Sequence, residues 1–309
     1  VNTDEARFCY LFNGCTSLTT APKLPATTLA DNCYNAMFKG CKNLTSAPEL
    51  PAKIATESCY SNMFYGCTSL TTAPELPATT LAEYCYGSMF EDCTNLSTAP
   101  ELPAMTLADN CYHEMFYSCT NLSTAPELPA TTLADYCYYA MFQGCKNLTS
   151  APELPAMTLA KYCYEYMFCD CTNLTAAPEL PAMTLADYCY YHMFHGCTNL
   201  TTAPKELPAT TLANYCYCRM FYSCTSLSTA PELPATTLAN YCYGRMFYGC
   251  TKLNSVTMLA TDISANNCLT LWVEGVASTG TFTKAAAMTS LTTGVSGIPE
   301  GWTVKNYGE

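Results

Sequence analysis

The stretch Pro129-Ala-Thr-Thr-Leu-Ala-Asp-Tyr-Cys-Tyr-Tyr-Ala-Met-Phe-Gln-Gly-Cys-Lys-Asn-Leu-Thr-Ser-Ala-Pro152 decides the fold, because it holds one complete copy of a pattern that recurs along most of the chain. At roughly 100° per residue, Leu133, Ala134, Cys137, Tyr138, Met141, Phe142 and Cys145 fill one half of a helical wheel. Asp135, Tyr136, Tyr139, Ala140 and Gln143 fill the other half. Thr132 and Asp135 form a capping-box-like pair, repeated as Thr28/Asp31, Thr80/Glu83, Thr106/Asp109 and Thr184/Asp187, and Gly144 is a stop signal. One amphipathic helix per copy is predicted. Beyond it, Leu148 and Ala151 can point inward around an extended Thr149-Ser150 pair, which predicts a short strand. Pro152 has no N–H for a ladder, so pairing should stop there and the Pro-Glu-Leu-Pro corner should be polyproline-like.

Outward from this copy, Phe12, Phe38, Phe64, Phe90, Phe116, Phe142, Phe168, Phe194, Phe221 and Phe247 recur every 26 residues, with one 27-residue step at Pro204-Lys205-Glu206-Leu207. Twenty of the 23 cysteines lie on two rungs of the same period, Cys33 to Cys268 and Cys15 to Cys250; Cys9, Cys169 and Cys218 lie off them. Such a period means a solenoid, since one unit cannot bury its apolar face alone. Helices pack about 8–10 Å apart and paired strands about 4.8 Å, so coils with one of each should bend with helices on the convex side. The expected fold class is therefore α/β: a curved, horseshoe-like solenoid of about ten 26-residue coils over residues 1–260, each one helix plus one short parallel strand. After Cys268 the period breaks, and residues 261–309 read as a C-terminal cap. Ser264 to Val273 should be a last helix, with Gly280 to Lys284 and Trp302 to Val304 as strands. The chain enters in mid-coil at Arg7 to Cys15, which suggests an excerpt of a longer protein whose targeting segment is absent.

The run Met63-Phe64-Tyr-Gly-Cys67-Thr-Ser-Leu70, continued by Ala73-Pro-Glu-Leu76-Pro77, resembles the BspA-like leucine-rich-repeat surface proteins, with an Ala-Phe-x-x-Cys-x-x-Leu core and an Ile-x-Ile-Pro strand end. It departs from them in having Ala where Ile is usual, an added residue before the last Leu-Pro, and a longer helical segment. The resemblance covers about residues 5–260 and implies a leucine-rich-repeat fold on an extracellular or cell-surface protein used in adhesion.

Composition narrows the function. Half of the 309 residues are apolar, enough for a large core, and the net charge of −12 repels nucleic acid and anionic lipid. No apolar run approaches a transmembrane length of about 18 residues. No nucleophile motif, phosphate loop, dinucleotide fingerprint or carboxylate constellation is present, so a non-enzyme without cofactor or metal, and a monomer, is expected. Cys137 and Cys145 would stand about 12 Å apart along a helix, beyond disulfide or metal-ligand reach. The strand-side rung could pair between coils, but no doubled period marks alternate coils, so both rungs are expected to be buried free thiols. Cys169 and Cys218 fall in outward slots and are the reactive candidates. His192 and His195 have a metal-compatible spacing but also occupy outward slots, where a solvated surface is the simpler expectation. Asn-Leu-Ser/Thr triplets at Asn43, Asn95, Asn121, Asn147, Asn173 and Asn199 match a glycosylation pattern, although Ser17, Ser69 and Ser226 in the same slot favour a turn role.

Comparison of the coils separates scaffold from surface. Two slots after Cys-Tyr and one after Phe vary freely and carry the candidate binding residues Tyr65, His113, Tyr117, Tyr139, Tyr166, Tyr191, His192, His195, Arg219, Tyr222, Arg245 and Tyr248. Unconstrained drift and a diversified, tyrosine-rich binding face both account for them. The opposite face repeats hydroxyl pairs such as Thr45/Ser46, Thr71/Thr72 and Thr149/Ser150, a regular ladder suited to polysaccharide. The leading expectation is a non-catalytic adhesion solenoid that docks a protein on a host or neighbouring cell. A carbohydrate-binding array on the Thr/Glu face and a passive stalk are the alternatives.

Overall fold

The computed structural model describes residues 8–309, in two compact units, Val1–Glu153 and Leu154–Glu309. Among the described residues there is no α-helix, which corrects the fold class expected from the wheel. Where a helix was predicted in each copy, and again at Ser264 to Val273, the chain runs as consecutive turns.

The hydrogen bonds show why. Within one copy Cys33, Asn35, Met37, Lys39 and Cys41 donate their N–H to the carbonyl three residues back, at 3.0–3.2 Å. The N–H groups between them leave the coil: Tyr34 donates to Cys59, Ala36 to Ser61, Phe38 to Met63 and Gly40 to Tyr65, at 2.7–3.0 Å. Every second amide is thus committed to the next copy, so a lone copy could not satisfy its own backbone. Corners at positive φ recur every four residues, at Asn32, Ala36 and Gly40 and then at Ser58, Asn62 and Gly66, with the positive value at the third turn residue as in type II turns. Twenty-five non-glycine residues among those described take positive φ. A right-handed helix cannot hold such a residue on every turn.

The true period is four. In an α-helix positions i, i+4, i+8 and i+12 drift by about 40° per step. Here Cys33, Met37 and Cys41 are all buried, as are Tyr34 and Phe38 beside them, because a four-residue spiral brings the same face inward each time.

In the first unit, parallel β1 (Ile54–Ala55) and β2 (Thr80–Leu81) pair Ile54 with Thr80 and Ala55 with Leu81. The strand expected after each copy shrinks to single parallel bridges, Thr20 to Ser46, Thr72 to Thr98 and Thr98 to Thr124, and a second bridge column joins Thr106 to Thr132. In the second unit, β3 (Ser255–Met258), β4 (Thr281–Lys284) and β5 (Thr303–Asn306) form a parallel sheet in that order. Within each unit both the bridge side and the turn side are joined by backbone hydrogen bonds, so the unequal helix and strand spacings that were expected to bend the stack are absent.

The core of each unit is a set of columns. Phe12, Phe38, Phe64, Phe90 and Phe116 stack at 5.5–5.6 Å in the first, and Phe168, Phe194, Phe221 and Phe247 at 5.5–5.7 Å in the second. Tyrosine columns run beside them, and Trp272 lies 6.4 Å from Tyr243 and 6.1 Å from Phe247, across the last ring of both. The extra residue near Lys205 leaves the Phe194–Phe221 stack at 5.5 Å, so the corner absorbs it. From Cys41 onward the strand-side thiols are buried; each of Cys67, Cys93, Cys119 and Cys145 donates Sγ–H to the Phe carbonyl of the preceding copy, at 3.0–3.2 Å. They are hydrogen-bonding members of the stack as well as small apolar fillers.

The capping pairs also act between copies. Asp31 Oδ1 accepts the N–H of Glu57 (3.2 Å), Asp109 that of Asp135 (3.0 Å) and Asp187 that of Asn214 (3.0 Å), so each carboxylate clamps the same slot of the next copy. The asparagines of the glycosylation-like triplets form ladders of their own: Asn121 donates to Asn95 at 3.2 Å and Asn147 to Asn121 at 3.5 Å.

Candidate functional site along the turn edge

The variable slots lie along the outer edge of the turn runs, one of them at the positive-φ corner that holds Ala36, Asn62, His192, Arg219 and Arg245. In the first unit, Tyr65 is half-buried under the Lys39 ammonium, 4.0 Å from its ring centre, and neighbouring Glu91 raises the pKa of its phenol. The His113 ring stacks on Tyr139 at 4.7 Å, and its Nδ1 stands 3.4 Å from the Glu114 carboxylate. Burial lowers the His113 pKa and Glu114 opposes it. Tyr117 is half-buried in the slot after Phe.

The second unit gathers the rest. Tyr166, His192, His195, Tyr222 and Tyr248 form one continuous ring stack with successive centroids 4.7, 4.9, 4.7 and 4.7 Å apart. A second stack, Tyr162, Tyr188, Tyr215 and Tyr241, runs at 4.5–4.9 Å in the slot before Cys-Tyr and ends where Asn267 donates to the Tyr241 hydroxyl at 2.7 Å. That second row was missed as a site row, although Tyr before Cys in successive copies is its signal. Tyr191 stands between the rows, edge-on to Tyr188 and Tyr215.

His192 is 5% exposed, not a solvated surface residue, and His195 is half-buried. Arg219 Nη1 lies 3.1 Å from His192 Nε2, and the two Nδ1 atoms of His192 and His195 are 2.8 Å apart. A guanidinium only donates, so His192 Nε2 is the acceptor, its proton sits on Nδ1 and is given to His195 Nδ1, and His195 keeps its own on Nε2. Burial first, then His195 and Arg219, push the His192 pKa down to about 3. Both lone pairs a metal would share are thereby engaged, and among the described residues no cluster of three or more His, Cys, Asp or Glu is arranged to hold an ion.

The two cysteines expected to be reactive are buried. Cys169 is 4% and Cys218 5% exposed, and burial raises both thiol pKa values, that of Cys218 to about 11. Glu165, in the slot of Tyr191 one copy earlier, is pushed up to about 8 by burial. On the opposite face the hydroxyl pairs are exposed as expected, and Thr45, Ser97 and Thr201 each donate to the preceding copy's carbonyl at 3.1–3.2 Å, which orients the ladder.

No helix of the described residues is long and apolar enough to cross a membrane. Comparison with curated proteins gives no match. Among solved structures, a leucine-rich repeat protein from Bacteroides ovatus ATCC 8483 is similar over 91% of this chain and 82% of its own, at 18% identity and a TM-score of 0.33. The family profile described as a BspA type leucine rich repeat region, in six copies, matches residues 9–123, 109–219 and 186–269. The chain therefore belongs to the BspA-type leucine-rich-repeat family.

Proposed function

We propose that this chain is a non-catalytic interaction solenoid displayed at the cell surface, whose variable turn edge docks a protein partner on a host or neighbouring cell. The observation that carries this reading is the pair of ring stacks in the second unit, which hold tyrosine and histidine side chains half-ordered before any partner arrives. Tyrosine and arginine on a rigid support supply contact area at little further entropic cost. The BspA-type repeat is a family of interaction proteins, generally non-catalytic and surface-associated, and residues 261–309, with Trp272 across the columns, serve as its cap. In a binding screen of the purified chain against matrix-type proteins, saturable binding to one of them is expected. Changing Tyr139, Tyr191, Arg219 and Tyr248 together to Ala should abolish it while the fold persists; retained binding would remove the turn edge from the interface.

A second reading is favoured by the exposed, oriented hydroxyl ladder, whose repeat could match a polysaccharide. Bulky residues at Thr45, Thr71 and Thr149 would then block binding, and affinity would fall steeply in a chain with fewer copies. Binding in neither screen would leave a passive stalk.

A further inference from the structure

The turn edge is not uniform. The slot two residues after the Cys33-to-Cys268 rung is filled by large side chains at Glu165 and Tyr191 but by small ones at Cys218, Gly244 and Thr270. Where the small ones follow one another the edge opens into a trough of about 290 Å³. Cys218, Gly244 and Thr270 are its floor, Tyr191 closes one end, Tyr215, Tyr241 and Asn267 form one bank, and Arg219 and Arg245 the other.

Its chemistry is unlike that of the rest of the chain. With 25 acidic residues against 13 basic, the molecule carries a net charge of −12, yet no acidic side chain lines this trough, and two of the chain's three arginines do. Arg219 is held in place through Tyr191 Oη (3.4 Å) and His192 Nε2 (3.1 Å). No side-chain hydrogen bond or ion pair engages Arg245 among the described residues. Two guanidinium groups in equivalent slots of successive copies suit a planar or tetrahedral oxyanion. The other bank presents phenol hydroxyls and the Asn267 carboxamide, whose nitrogen gives one of its two N–H groups to Tyr241 and whose oxygen remains an acceptor. Both faces of Tyr215 and one face of Tyr241 are covered within the stack, so along it the trough meets mainly ring edges and hydroxyls. Donors for an anion on one bank and hydroxyl partners on the other, in a volume at the small end of ligand sites, fit a polyhydroxylated acid of one-ring size.

We propose that this trough binds an acidic sugar unit of the hexuronate class, its carboxylate on Arg219 and Arg245 and its hydroxyls on Tyr215, Tyr241 and Asn267. The site does not require that the turn edge also dock a protein.

Gly244 offers a clean test. A Cβ built there meets Thr270, Tyr241 and Cys218 atoms at 3.4–3.5 Å, ordinary contact, and sister copies carry Tyr139 and Tyr191 in this slot. Gly244→Tyr should thus fill the trough without unfolding the coil, and Arg245→Gln removes charge without filling it. Titration of the full chain with D-glucuronate and D-galacturonate, followed by ligand-observed NMR, should give saturable binding with a Kd of about 1 mM or tighter, weakened about tenfold or more in either variant. D-glucose and acetate should each bind at least about tenfold more weakly than the better uronate, because each supplies half of the recognition. Unchanged thermal unfolding of the variants confirms that the fold is retained. Glucose or acetate binding as tightly as the uronate, full affinity in Gly244→Tyr, or no saturation up to about 10 mM would each overturn the proposal. Equal binding of triglutamate would overturn it in favour of an acidic peptide.

Discussion

At His192 the fold takes a residue from a slot that is solvent-facing in sequence terms and buries it between Tyr166, Tyr191 and Arg219. The imidazole is held neutral, its pKa lowered from 6.5 to about 3, chiefly by burial. In the unfolded chain it titrates near its ordinary value. The stabilisation from keeping it neutral is therefore complete above about pH 6.5 and is lost as pH falls towards 3. Asn tolerates the positive-φ corner and occupies the equivalent position at Asn62 with φ 56°. Stability of the wild type minus that of His192→Asn, from urea unfolding at a series of pH values, should fall by on the order of 2 kcal/mol between pH 7 and pH 3. A flat difference would mean that His192 is solvated. Glu165, raised to about 8 by the same kind of burial, acts in the opposite sense between about pH 4.5 and 8, but it is present in both proteins and cancels. None of this is visible in the sequence, where His192 and His195 differ little from their neighbours in the variable slots; only the stacking of one copy on the next brings Arg219 within 3.1 Å.

The unit of structure one level up is the turn run, and here sequence and fold diverge for a physical reason. Periods of 3.6 and 4 share the same inward set over two turns and separate only by the third, so Leu133, Cys137, Met141 and Cys145 were compatible with either. What distinguishes them is the destination of every second N–H, which lies in another copy. The Thr/Asp pairs mimic a helix start for the same reason: a carboxylate that accepts a backbone N–H from three residues back and one that accepts it from the next coil look alike in one dimension. The clamp can be tested at Asp109, which holds Asp135 N at 3.0 Å. Asn240 does the same for Asn266 at 3.0 Å, so Asp109→Asn should leave the unfolding temperature almost unchanged. Asp109→Ala should cost about 1 kcal/mol, read by thermal unfolding, through one backbone donor left to water. Equal effects of the two substitutions would argue against the clamp.

Across the molecule, order comes from repetition of a few columns: the aromatic, methionine and thiol columns bury nearly all their atoms. The thiols give a global readout of that packing. Burial raises Cys85, Cys137 and Cys189 to about 12, and only Cys9 and Cys15 are not buried. Titration of the native chain with a thiol reagent at pH 8 should therefore modify about two cysteines quickly, and all 23 only after denaturation. Fast reaction of Cys169 or Cys218 in the native state would contradict their burial. Since neighbouring copies hold one another's backbone, slow modification of the remaining thiols should follow opening of the stack rather than the chemistry of any one site.

The amino-acid sequence by itself determined the repeat, its length, the inward columns and the family, because all of these follow from which residues recur and at what interval. It also showed which slots vary. Tertiary structure alone decided that the segment is a spiral of turns and not a helix, that His192, Cys169 and Cys218 are covered, and that Cys218, Gly244 and Thr270 open a trough between two arginines and a bank of tyrosines. Each of these depends on contacts between copies, through hydrogen bonds and stacking across about 26 residues of chain, and such contacts have no signature within any one copy.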